Sequence, residues 1–90
     1  NLIENAYEAA RKCEKPFIEF TARCKDGYLL AELRNSVSVT VEFLEGYPVS
    51  TKLDGGIGTR SADAILAKYG GMMKLSQEGD VFITQVLQPL

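Results

Sequence analysis

Residues 17–35 read FIEFTARCKDGYLLAELRN, and this stretch decides the fold because two strand patterns flank a turn. Apolar and polar side chains alternate over residues 17–24, which predicts a half-buried strand. Asp26 and Gly27 then suit the positive φ angles of a tight hairpin turn. Residues 28–35 predict the returning strand, so we expect an antiparallel hairpin here.

Upstream, residues 1–14 predict a helix, because their apolar side chains cluster on one side and Pro16 ends the segment. No residue precedes Asn1 to cap this helix, and we therefore expect an N-terminally truncated domain. Asn1 and Asn5 are one turn apart and share a helix face. Asparagine is a poor helix former, so the pair calls for an explanation.

Downstream, residues 36–43 alternate again and predict either a third strand or an extended lead into a loop. Residues 44–58 are rich in glycine and predict a mobile loop. Residues 59–71 predict a second helix, and residues 72–76 and 81–87 predict a closing hairpin.

This order of elements predicts a single α+β domain over residues 1–90, built as a two-layer α/β sandwich. We expect a mixed, mostly antiparallel sheet with both helices on one face. The apolar patterns also predict that five further side chains are buried in the core or between helix and sheet: Cys13, Cys24, Tyr69, Met72 and Met73.

The composition excludes several kinds of function. The chain has 90 residues, 46% hydrophobic and 24% charged, and its net charge of −2 gives no electrostatic case for binding nucleic acid or an acidic membrane. No apolar run reaches the ~20 residues that span a bilayer. Histidine is absent, which excludes a Ser-His-Asp or Cys-His nucleophile and a phosphohistidine acceptor within this chain. With only two cysteines, both expected as buried thiols, a zinc site is not expected either.

Two features indicate phosphate binding, and each has a plainer alternative. The amides of Asn1 and Asn5 could present oxygen to a phosphate-bound magnesium ion, or they could belong to a solvated helix face. Gly56 and Gly58 precede a helix start, where free N–H groups bind anions, or they could form a flexible connection. Neither feature alone decides between its two interpretations.

Read in order, four stretches resemble one family: NLIENA at 1–6, RNS at 34–36, GYPVSTK to KYGG over 46–71, and GDVFITQVLQPL at 79–90. Together they are similar to the ATP-binding domain of GHKL-type sensor histidine kinases, and most of all to the quorum-sensing branch. The resemblance covers nearly the whole chain. It implies the Bergerat ATP-binding fold that this group shares.

The resemblance implies roles for particular residues. NLIENA matches the N box, which makes Asn5 the expected magnesium ligand and puts Asn1 near the phosphates. Asn35 stands where the first glycine box usually has the aspartate that binds the adenine amine. The second glycine box, beneath the phosphates, matches three residues: Gly56, Gly58 and Thr59.

Residues 44–55 correspond to the ATP lid of the family. Arg60 and Lys52 are basic residues near the lid and the phosphate loop, and each could neutralise phosphate charge. For Lys52 a solvated surface role is the favoured interpretation.

The sequence also departs from the family pattern. The first box reads NSVSV without its two glycines, and Asp54 replaces the usual first glycine of the second box. Because an asparagine carries both a donor and an acceptor, we expect Asn35 to prefer adenine over guanine less strongly than aspartate does, unless neighbours fix its orientation. Asn1 favours kinases over hydrolysing relatives, because asparagine cannot take a proton as their glutamate does.

The resemblance implies that the chain binds ATP and Mg²⁺ and donates the γ-phosphate to a histidine on a separate dimerisation domain. The implied partners are that domain, in a homodimeric parent protein, and a response regulator, with no nucleic acid. The implied location is the cytoplasm, with a parent protein that could be anchored in a membrane. Two alternatives stay open: a non-catalytic regulatory GHKL module, and a GHKL serine kinase of the anti-sigma type.

Overall fold

The computed structural model describes residues 2–44, 47–48 and 63–90. Helix α1 comes first, and residues 63–68 form the described part of a second helix, α2. In chain order the bounded elements are α1 (Leu2–Ala10), β1 (Ile18–Lys25), β2 (Tyr28–Ser36), β3 (Phe43–Leu44), β4 (Tyr47–Pro48), β5 (Met72–Glu78) and β6 (Val81–Pro89). The domain is therefore α+β, as the sequence predicts.

Four strands form the main sheet in the order β1-β2-β6-β5. All three neighbouring pairs are antiparallel. We expected a mixed sheet, but no parallel pair occurs among the described strands. Short hairpins join β1 to β2 and β5 to β6, and β2 and β6 run in opposite directions. Strands β3 and β4 make a separate antiparallel pair.

The first hairpin confirms the prediction made from residues 17–35. Lys25 lies opposite Tyr28, and the two residues between them have positive φ angles of 52° at Asp26 and 82° at Gly27. Two positive φ values define the turn whose twist matches that of the flanking strands. The Leu90 N–H donates to the Gly27 carbonyl oxygen over 2.8 Å, which ties the last residue of the chain to this turn.

The sheet has two chemically different faces. Residues directly opposite each other in an antiparallel pair point to the same face. One face, which we call the first face, carries the buried residues Leu33 and Asn35 of β2 and Thr84 of β6. Glu32 and Arg34, which alternate with them along β2, lie on the second face.

Helix α1 packs against β2 and less extensively against β1. Ala6 and Ala10 are buried, and their small side chains let the helix approach the sheet closely. The helix ends at Ala10 rather than at residue 14. The N–H groups of Lys12 and Cys13 bond to carbonyls only three residues back, at 3.4 and 3.0 Å, so the chain tightens out of the α-helical form.

The prediction that β1 is half-buried is wrong. All eight of its residues are exposed, and Phe20 is 60% accessible. β1 is an edge strand of the described sheet, and α1 contacts mainly its neighbour β2. Cys24, on β1, is therefore exposed and Cys13 is half-buried, so the prediction of two buried thiols is also wrong.

Two predictions for the C-terminal part also fail. Tyr69 is 67% exposed and does not pack between helix and sheet, and Met72 is 62% exposed rather than in the core. The chain turns at Gly70, whose φ is 79°, and Met72 then enters the edge strand β5 on the second face. Met73 points to the first face and is half-buried.

Residues 37–42 form no strand, so the extended lead into a loop is the better of the two interpretations of this segment. Among the described residues, no helix has the length and apolar character needed to cross a membrane.

Candidate functional site

The first face contains a row of side chains around Asn35 at the end of β2. Asn35 lies opposite Ile18 of β1 and Phe82 of β6, and Phe82 in turn lies opposite Gln77 of β5. We call these four residues the Asn35 row. Asn35 is only 2% exposed, which is unusual for a polar side chain and indicates a specific role for its amide.

Hydrogen bonds fix the amide of Asn35. Its Nδ2 donates to the Ser36 carbonyl oxygen over 3.0 Å. Ser36 is itself held in place, because the Phe17 N–H donates to its Oγ over 2.9 Å and its own N–H donates to the Phe17 carbonyl over 3.1 Å. With Nδ2 engaged, Oδ1 is the atom that can accept a further hydrogen bond.

Gln77 hydrogen-bonds the segment that follows β2 to the sheet. Its Oε1 accepts the Val41 N–H over 2.7 Å. Its Nε2 donates to the carbonyl oxygens of Val39, at 3.1 Å, and Gly79, at 2.8 Å. One side chain therefore positions the backbone that leads from Asn35 to the predicted lid.

An aromatic pair stands beside Asn35. The rings of Phe82 and Phe43 are stacked, with centroids 5.9 Å apart and planes inclined by 7°. Such pairs add stability beyond the apolar area they bury. The pair anchors the start of β3 against the main sheet and makes the surroundings of Asn35 apolar on this side.

Asn5 lies in the middle of α1 and is half-buried, next to the buried Ala6. Since α1 contacts β2, the two asparagines stand on elements that touch each other. Within the described ranges, no group of three His, Cys, Asp or Glu residues could hold a metal ion. A magnesium ion here would take the Asn5 amide oxygen and complete its shell with phosphate oxygens and water, and the donor type fits that ion.

The remaining predicted site residues lie outside the described residues: Asn1, Gly56, Gly58, Thr59 and Arg60. Lys52, Asp54 and most of the predicted lid over 44–55 lie outside them as well. Their roles stay predictions.

Sequence reasoning missed Gln77, Phe43 and Phe82. A signal for Gln77 was available, because along β5 it follows Met73 and Leu75 at the spacing of one strand face. A glutamine at an otherwise apolar position requires partners, and here those partners are backbone groups of a neighbouring segment.

The charged residues of β2 lie on the second face, away from Asn35. Arg34 Nε donates to Glu32 Oε2 over 2.6 Å, and Gln85 Nε2 donates to Glu32 Oε1 over 3.0 Å. The hydrogen bond from Arg34, followed by that from Gln85, lowers the pKa of the Glu32 carboxyl below 4.5. The same pairing raises the pKa of Arg34.

Comparison with known families found a match over nearly the whole chain. Residues 1–89 match the family described as GHKL domain. A search of the curated proteins found no match.

Proposed function

This chain belongs to the GHKL family, and from this premise we propose that it is the ATP-binding domain of a sensor histidine kinase. The family is one of ATP-binding domains with ATPase or kinase activity and the Bergerat fold. The finer assignment, transfer of the γ-phosphate to a histidine on a separate dimerisation domain, is our proposal.

The observation that supports the proposal most directly is the burial and hydrogen bonding of Asn35. It is a buried amide at the end of β2, its Nδ2 donates to the Ser36 carbonyl oxygen, and its Oδ1 can accept a further hydrogen bond. An amide oxygen in this position suits the exocyclic amine of adenine, and Asn35 stands where the family's first glycine box has its aspartate. Both glycines of that box are absent, yet a polar group at the key position is retained.

In this proposal each residue has a physical task. Asn35 orients the base, and the Phe43–Phe82 pair with Gln77 holds the surrounding backbone in place. Asn5 supplies an oxygen ligand to magnesium, and Asn1, Gly56, Gly58, Thr59 and Arg60 lie around the phosphates. ATP supplies the phosphoryl group, and the protein positions it and neutralises phosphate charge.

Since the sequence contains no histidine, the acceptor histidine in this proposal has to lie outside this chain. We propose that the acceptor histidine lies on a dimerisation domain of the same parent protein and that a response regulator receives the phosphoryl group afterwards. We further propose a cytoplasmic location and membership of the quorum-sensing branch, which the GTRS motif at 58–61 supports.

Calorimetric titration of this chain with ATP, in magnesium and in EDTA, tests the proposal. We expect saturable binding that weakens when magnesium is removed. Absence of binding in both conditions would contradict the proposal and favour a non-catalytic regulatory module, which the altered first glycine box also suggests.

A further inference from the structure

The second face of the sheet carries a hollow of about 490 Å³. Eight of its twelve lining residues belong to two adjacent cross-strand rows on that face. One row runs Arg23, Leu30, Leu87 and Met72, and the other contains Glu32 and Lys74. The four other lining residues form the row between these two along the strands: Ala22, Ala31, Val86 and Met73. Since the side chains of the two flanking rows point to the second face, the hollow opens on the side opposite Asn35.

The floor and the borders of the hollow differ in chemistry. Leu30 and Leu87 lie opposite each other on the two central strands and are half-buried. Arg23 and Lys74 stand on the two outer strands and are exposed, and neither forms an ion pair with the described residues. On the floor the Leu30–Leu87 row is apolar and the Glu32–Gln85 row is polar, and each border carries one cation without an ion-pair partner among the described residues.

The carboxylate within the hollow does not cancel this charge. Glu32 is engaged by Arg34 at 2.6 Å and by Gln85 at 3.0 Å. The local balance is therefore positive, although the whole chain has a net charge of −2. A patch whose sign is opposite to that of the molecule attracts acidic partners selectively.

The width of the hollow indicates the shape of the occupant. The outer strands β1 and β5 are three strand spacings apart, roughly 14 Å. An α-helix with its side chains is about 10–12 Å across. A helix lying over β2 and β6 therefore fits between Arg23 and Lys74 and would bring residues on both of its flanks to these cations.

We infer that the second face is a docking site for a partner's amphipathic helix, one with an apolar stripe bordered on both sides by acidic residues. The apolar stripe contacts Leu30, Leu87 and Met72. The acidic borders pair with Arg23 and Lys74. Such a helix adds a third layer to the sheet and is independent of nucleotide binding on the first face.

The test uses a synthetic helical peptide with leucines on one stripe and glutamates on both borders, and a matched peptide with lysines in place of the glutamates. Each is titrated into the isotope-labelled chain and followed by NMR. We expect the acidic peptide to shift resonances of Leu30, Leu87 and Met72, and the lysine peptide to leave them unchanged. Arg23→Glu and Lys74→Glu should each weaken binding at least about fivefold, since each exposed ion pair becomes a repulsion.

Lys12→Glu is the matched control, because it makes the same charge change in the turn after α1 and should leave the affinity unchanged. Equal binding of both peptides, shifts confined to the first face, or indifference to Arg23→Glu would each overturn the inference. Shifts of the same resonances with protein concentration alone would show that a second copy of the chain occupies the face, and would overturn it too.

Discussion

Gln77 on β5 accepts the backbone N–H of Val41 over 2.7 Å, across 36 positions of the chain. The same amide donates to two carbonyl oxygens. We predict that Gln77→Ala lowers the free energy of unfolding by about 1 kcal/mol, because the part-buried Val41 N–H loses its acceptor, whereas water can reach the two exposed carbonyl oxygens. Urea unfolding measures the change.

Gln85→Ala is the control for this prediction, because among the described residues Gln85 donates only to Glu32, in an exposed hydrogen bond. Its effect should stay within about 0.5 kcal/mol. Equal losses in the two variants would mean that Gln77 is an ordinary surface amide and does not hold the 39–41 segment.

Asn5 is predicted to be the magnesium ligand. Asn5→Ala removes an oxygen donor from a half-buried position on α1, and we expect the magnesium-dependent affinity for ATP to fall at least ~10-fold, or about 1.4 kcal/mol. Asn5→Asp keeps a hard oxygen ligand and should retain magnesium-dependent binding. Calorimetry on both variants decides, and unchanged affinity in Asn5→Ala would contradict the N-box assignment.

Local sequence patterns were sufficient where local physics controls the structure. The Asp26-Gly27 turn needs two positive φ angles, and pairs such as Asp-Gly and Asn-Gly are among the few that adopt them readily. Alternation fixed which residues of β1 and β2 share a face, because the strand period is two. Asn35 could be assigned to the end of β2 for the same reason, though its burial could not.

Exposure depends on which strands become edges, and no local pattern encodes that. The alternation in β1 is the same whether a helix covers the strand or not, so Phe20 and Cys24 were expected inside and lie outside. Gln77 illustrates the same limit, since its partners are 36 and 38 positions away in the chain. Long-range partners of this kind appear only once the strand order is known.

The Glu32 carboxyl gives a pH-dependent prediction. Its pKa in the folded chain is lowered from 4.5, mainly by the hydrogen bond from Arg34. A lowered pKa stabilises the fold above pH 4.5, and this contribution is lost as the pH falls through the folded value. We therefore expect Glu32→Gln to unfold at a lower temperature than the native chain at neutral pH and at a similar temperature in strong acid.

Thermal unfolding from pH 7 down to pH 2 measures this difference. Glu14→Gln, at an exposed position in the turn after α1, serves as the control and should follow the native curve. A constant gap between Glu32→Gln and the native chain at every pH would show that the ionised pair is not its cause.

The absence of histidine predicts the labelling behaviour. Incubated with radioactive γ-labelled ATP, this chain should acquire no acid-labile phosphate, whereas an added domain with an acceptor histidine should. Gel autoradiography after acid treatment distinguishes the products. Acid-labile label on this chain alone would contradict the histidine-kinase proposal, and acid-stable label on a serine of a partner would favour the serine-kinase alternative.

The last prediction concerns the base read by Asn35. An asparagine that can turn over offers its oxygen to adenine's amine or its nitrogen to guanine's carbonyl. Here Nδ2 donates to the Ser36 carbonyl at 3.0 Å, and turning the amide would place two acceptors together in a buried site, at a cost of about 1–3 kcal/mol. We therefore expect ATP to be preferred over GTP by roughly 5- to 150-fold. Asn35→Ala should lose most of this preference. Asn35→Asp should destabilise the fold, because an ionised aspartate cannot donate to the Ser36 carbonyl.

Competition of ATP and GTP against a fluorescent nucleotide measures the preference in each form. Equal affinities in the native chain would mean that the amide turns over despite Ser36, and an unchanged preference in Asn35→Ala would mean that another group reads the base.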